Sequence, residues 1–179
     1  MSVPMSGAPL TTRAPRAQRT SPEVSGRVLV AGIGNLLLGD DGFGPEVVRR
    51  LAEASDLPDE VRVVDYGIRG MHLAYDLLDG YDELVLVDAL PGGGEPGRIA
   101  VLEIGEGDVG SGAFDPHGMD PVAVLAGLRR LGGTLPRTYV VGCRPVDLKE
   151  GIGLSDPVAD AVPRAVATVL SLLIRRAVV

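Results

Sequence analysis

Apolar residues follow two different spacings along this chain. Five short runs have strand length and are mostly Val, Leu, Ile and Ala: "RVLVAGI" (27–33), "VRVVDY" (61–66), "ELVLVDAL" (83–90), "RIAVLEI" (98–104) and "RTYVVGC" (137–143). Between them lie stretches with helical spacing. "PEVVRRLAEA" (45–54) opens with a proline suited to a first turn and puts Val47, Val48 and Leu51 on one face. "MHLAYDLLDG" (71–80) is a helix stopped by Gly80. A third helix is predicted over 120–131 and a long one over 156–177, where Pro163 either kinks the helix or marks its true start.

Strand and helix alternate, so the pattern predicts a mainly parallel sheet covered by helices on both faces. One link breaks the alternation. "PGGGEPG" (91–97) is too short for a crossover helix, which takes about a dozen residues or more. The fourth strand is therefore predicted to run antiparallel. A glycine-rich loop follows (105–119). Residues 1–26 are rich in Pro, Ser, Thr, Ala and Arg without periodicity and read as a disordered tail. Residues 27–179 read as a single α/β domain.

Composition narrows the partners. The 179 residues are 45% hydrophobic but 3% aromatic, so the core has to be aliphatic. Net charge is −7; the first 27 residues hold four arginines against one glutamate, +3, which leaves −10 on the rest. Such an acidic body repels nucleic acid and suits a cation or a basic protein surface. Cys143 is the single cysteine, which excludes an internal disulfide and a thiolate cluster, and a reducing, cytoplasmic setting fits. No continuous apolar run reaches the roughly 18 residues of a membrane span, so no membrane partner is expected.

The stretch "VLVAGIGNLLLGDDGFGPEVVRRL" (28–51) begins like a dinucleotide-binding turn. Gly32 and Gly34 fit the G-x-G-x-x-G fingerprint, but Leu37 stands at the third glycine, and no Gly-Lys-Ser/Thr follows. The acid that would hold a ribose should lie about 20 residues on, whereas Asp65 lies 33 past Gly32. No nucleotide cofactor is therefore expected. The glycines instead let the chain leave the strand sharply, presenting Asn35, Asp40 and Asp41 at the carboxyl edge of the sheet, where open α/β sheets bind ligands.

Three residues of ligand type then fall after strands or before helices: Asp41 after the first strand, Asp88 at the end of the third, and His117 in "DPHGMD". Two carboxylates and an imidazole form an N,O,O set suited to zinc or nickel with open coordination positions. Blander readings exist for each. Asp40 and Asp41 precede a helix and would serve as caps or dipole partners. His117 would serve equally as a surface residue. Asp88 ends an apolar strand and has to be paired, metal-bound or exposed in a cleft. His72 reads as a solvated helix residue, Cys143 as core, and Asp65 as either a turn acid or part of the cleft floor.

Together "GIGNLLLGDDGFGPEVV", "DYGIRGMHLAYDLL", "LVLVDAL", "DPHGMDPVAVLAGL" and "VVGCRPVDLKEGIGLSDPV" resemble, in matching order over roughly residues 28–173, the hydrogenase maturation proteases. The resemblance implies a three-layer α/β/α fold with a five-stranded mixed sheet. It implies an endopeptidase, grouped with the aspartic type, that removes a C-terminal extension from the nickel-iron hydrogenase large-subunit precursor after nickel insertion. In that reading Asp41, Asp88 and His117 hold the metal, the nickel arrives with the precursor, and Asp65 contacts the precursor. The family's Asp-Gly-Gly-Thr-x-Gly is here "DYGIRG", with Tyr66 and Ile68 replacing Gly and Thr, which bears on which precursor is served. The competing reading is a non-catalytic nickel carrier for hydrogenase assembly. Carriers often have His-rich tracts, and this chain has two histidines in all.

Overall fold

A computed structural model describes residues 26–54, 57–105 and 121–176. The predicted tail, except Gly26, and the loop that carries His117 lie outside the described residues. In chain order the elements are β1 (Val28–Ile33), a 3-10 turn (Gly39–Gly42), α1 (Phe43–Ala54), β2 (Val61–Gly67), α2 (Gly70–Leu77), β3 (Glu83–Ala89), β4 (Ile99–Ile104), α3 (Pro121–Arg130), β5 (Arg137–Cys143), α4 (Asp156–Ala159) and α5 (Val162–Arg176).

The strands form one sheet in the order β2-β1-β3-β5-β4. β1 pairs in parallel with β2 and β3, and β3 with β5, whereas β4 runs antiparallel beside β5. The short glycine-rich link thus has the consequence read from its length. β1 and β3 are buried at every position, because helices cover both faces of the central strands.

Alternation along the strands divides the core in two. Val28, Val30, Val85, Val87 and Val141 pack with Phe43, Val47, Val48 and Leu51 of α1 and with Val162, Ala165 and Val169 of α5. Leu29, Ala31, Leu84, Leu86 and Val140 pack with Leu73, Ala74 and Leu77 of α2 and with Leu125 and Leu128 of α3. Each fully buried aliphatic side chain contributes about 1.5–3 kcal/mol, so two such clusters make an aliphatic core sufficient without many aromatics.

The long C-terminal helix is divided. A turn at 160–161 separates α4 from α5, and Pro163 falls in the first turn of α5, so it marks a start rather than a kink. The stretch Asp156–Arg175 is long and apolar enough by composition to cross a membrane. Its apolar character is accounted for by a face docked on the domain: Val158, Ala161, Val162, Ala165, Val169 and Leu173 are buried.

Candidate active site

The position of the site follows from the connections. α1 carries the chain from β1 to β2 over one face of the sheet, and α2 carries it from β2 to β3 over the other. β1 leads out to β2 on one side of it and β3 leads towards β4 at the opposite end of the sheet, so the connections leaving their carboxyl ends diverge, the arrangement that places a ligand crevice between neighbouring strands. The turn bearing Asp41 packs against β3 at this edge.

α1 sits very close to the sheet here. An ideal Cβ on Gly44 would overlap the carbonyl oxygens of Ile33 and Val87, and one on Gly32 would overlap Gly44 O and Val48. Gly34 combines a φ of 135° with a position where a Cβ would overlap Asp41 O. These glycines let main chain approach main chain at this edge of the sheet.

The two adjacent acids of the turn part company. Asp41 is half-buried and its Oδ2 accepts a 2.7 Å hydrogen bond from Asn35 N–H. Burial raises its pKa, and the Asn35 bond lowers it to a smaller extent. Asp40 is 3% exposed and points inward. Its Oδ2 accepts from Val146 N–H at 2.8 Å and Ser155 Oγ–H at 2.9 Å, and its Oδ1 from Ser155 N–H at 2.7 Å. Neither side chain accepts from an amide of α1, so the capping reading of this pair is replaced by these partners.

Asp88 is 6% exposed, opposite Gly142 of β5. By the alternation of β3 it lies on the face of Leu84 and Leu86, the side covered by α2 and α3. α3 leads into β5, which parallels β3, so α3 begins at the carboxyl edge where Asp88 stands. His117 lies four residues before α3, outside the described residues. Among the described residues no three His, Cys, Asp or Glu side chains group as a metal site. The structure thus brings Asp41 and Asp88 to one edge.

Asp65, near the end of β2, is exposed; its Oδ1 accepts from Gly67 N–H at 2.8 Å, so it is a turn acid. It also lines a separate cleft of about 260 Å³ with Leu36, Pro45, Glu46 and Arg49, between β2 and α1. His72 is exposed on α2 and Cys143 is fully buried at the end of β5, as read from the sequence. Burial pushes the Cys143 thiol up to about 11, with a smaller contribution from the Asp40 charge, which removes the thiolate from consideration as a nucleophile.

The fold is a doubly wound three-layer α/β/α domain with Asp41 and Asp88 at its switch point. The profile of the hydrogenase maturation protease family matches residues 45–172, a span that includes Asp65, Asp88 and His117 and begins just after Asp41. HupD of Rhizobium leguminosarum, a hydrogenase expression/formation protein, is 34% identical over 155 residues, 85% of this chain and 76% of HupD. The hydrogenase 2 maturation protease of Escherichia coli is 33% identical over 149 residues, 82% of this chain and 90% of its own. The solved structure of the hydrogenase maturating endopeptidase HybD from E. coli superposes with a TM-score of 0.73 at 32% identity, covering 83% of this chain and 93% of HybD. The chain belongs to the hydrogenase maturation protease family, and it is an endopeptidase of hydrogenase maturation.

Proposed function

We propose that this protein removes the C-terminal extension of a nickel-iron hydrogenase large-subunit precursor, and that it recognises the nickel the precursor carries through Asp41, Asp88 and His117. The observation that carries the reading is the arrangement at the switch point: a half-buried carboxylate after β1 and a buried one ending β3, at the edge where α3 begins.

The donor chemistry fits a borderline divalent ion. Asp41 uses Oδ2 for the Asn35 amide, and Oδ1 has no hydrogen bond among the described residues. A site with three protein ligands holds a bare ion weakly and a partner-borne ion well, because the partner supplies the remaining ligands and buried surface. Metal-free precursor is then disfavoured as a substrate. Once docked, the scissile carbonyl lies beside carboxylates in a partly desolvated crevice. A crevice carboxylate would serve as general base, accepting a proton from the attacking water. The metal would add Lewis-acid polarisation of the carbonyl. Asp65 belongs to the precursor-contacting rim. A reducing, cytoplasmic setting is part of this reading, and the free, buried Cys143 is in keeping with it.

The test is a reconstituted processing reaction with nickel-loaded precursor, read by mass spectrometry of the product. Asp88→Ala and His117→Ala are each expected to abolish shortening while leaving the thermal melt cooperative. Full activity in either variant would refute the site. A wild-type chain that takes up nickel yet leaves the precursor at full length would be a carrier.

A further inference from the structure

The buried acid next to Asp41 has partners far away in the chain. Val146 and Ser155, which both donate to Asp40, are the two ends of one loop that follows β5. The middle of that loop is held by the same turn. Gly39 N–H donates to Gly151 O at 2.8 Å, and Gly151 N–H donates to Leu37 O at 2.9 Å. Residues 37–40 therefore hold the 146–155 loop at its start, centre and end, and a single carboxylate provides both end contacts.

The loop so held forms one wall of a groove of about 380 Å³. Ile152, Gly153 and Leu154 stand on one side, and Leu36, Gly39 and Gly42 on the other. Gly39 and Gly42 bracket Asp41 in sequence, so the groove lies beside the turn that carries this proposed metal ligand. Its rim is open, with apolar Leu36 55% exposed and Ile152 87% exposed, and the Glu46–Arg50 ion pair completes the lining. An extended peptide continuing from the scissile bond fits such a groove, since glycine walls admit its backbone and the leucine and isoleucine rims take its side chains.

We infer that Asp40 is a positioning residue that holds loop 146–155 as the wall of the precursor-binding groove, with Ile152 as a direct contact of the precursor segment beside the scissile bond. The inference rests on the endopeptidase reading above and adds where the substrate chain lies. Asp40 acts through the loop; it does not touch the metal or the reacting atoms.

Asp40→Asn is nearly isosteric, but its amide nitrogen cannot accept, so a backbone N–H of the loop loses its acceptor. Hydrogen exchange of the free protein and steady-state processing of nickel-loaded precursor test the claim. Exchange in 146–155 is expected to accelerate roughly tenfold, the effect of one lost buried hydrogen bond, with protection in β1 and β3 retained. KM for the precursor is expected to rise by about the same factor with kcat within a few-fold of wild type. Ile152→Ser, whose side chain lies outside the core, is expected to raise KM with loop exchange unchanged. Should Asp40→Asn fail to fold, Ser155→Ala removes one of the three contacts and is read in the same way. Unchanged loop exchange, or a loosened loop with unchanged KM, would overturn the role of Asp40, as would a fall in kcat alone. Unchanged KM in Ile152→Ser would overturn the groove as the precursor's path. A wild-type chain inactive on every precursor would instead refute the endopeptidase reading, and the groove with it.

Discussion

Replacing Gly44 by alanine tests the packing that brings α1 onto the crevice. Gly44 is the second residue of α1, and a methyl group there would overlap the carbonyl oxygens of Ile33 in β1 and Val87 in β3 and stand 2.7 Å from Ile33 N. Real Cβ atoms essentially never come under 3.0 Å. All three obstacles are main chain in the two central strands, so no change of rotamer relieves them and the helix has to lift. Overpacking of this kind costs about 1–3 kcal/mol, and the backbone nature of the clash places it at the upper end. Alanine in place of glycine in a helix returns up to about 1 kcal/mol. The net loss is about 2 kcal/mol, or a fall of roughly 4–8 °C in Tm for a domain of this size. Gly127 in α3 is the control. A methyl group there would meet Met71 Sδ at 3.8 Å and Ala74 Cβ at 4.0 Å, ordinary contacts. Gly127→Ala is expected to raise Tm by about 2–4 °C, from a gain of about 1 kcal/mol in helix propensity. Differential scanning calorimetry of both variants gives opposite signs if close approach at Gly44 sets the geometry. A Gly44→Ala protein that melts at or above wild type would refute the argument.

Further outcomes follow from the buried acid and the thiol. The pKa of Asp41 is raised on folding, chiefly by burial, so the folded chain binds that proton more tightly than the unfolded chain. The stability contribution of Asp41 is thus present at low pH, is lost as pH rises from the ordinary value of 3.8 through the folded pKa, and leaves a constant cost at neutrality. Asp41→Asn, which keeps an oxygen for the Asn35 amide, is expected to raise the urea midpoint at pH 7 while abolishing processing; a lowered midpoint would contradict the burial argument. Cys143, fully buried with its thiol pushed up to about 11, is expected to resist a thiol reagent at neutral pH in the folded protein and to react stoichiometrically in denaturant. Fast labelling of the native chain would refute its assignment to the core.

Tyr66 and Ile68, the two departures from the motif read in the sequence, are placed differently by the structure. Tyr66 is buried, and its hydroxyl donates to Asp76 Oδ2 at 2.6 Å, so it serves packing between β2 and α2. Ile68 is 68% exposed beside Asp65. Of the two, Ile68 is therefore the side chain open to a binding partner.

The sequence by itself determined the elements, the direction of β4 and the candidate acids. Central parallel strands must be apolar on both faces, so β1 and the Leu84–Val87 stretch of β3 appear as unbroken runs. A seven-residue glycine-rich link leaves no room for a crossover, so the antiparallel strand is legible in a length. Asp88 stood out because a carboxylate ending such a run requires a partner. Only the tertiary structure decided the strand order, and with it that β1 and β3 are neighbours whose diverging connections open the crevice. It alone separated Asp40 from Asp41. As consecutive residues in a turn their side chains point apart, and the partners of Asp40 lie 106 and 115 residues further along. Local patterns record what a residue's neighbours in sequence require; a hydrogen bond closed by the folding of the whole sheet leaves no periodicity or spacing behind it.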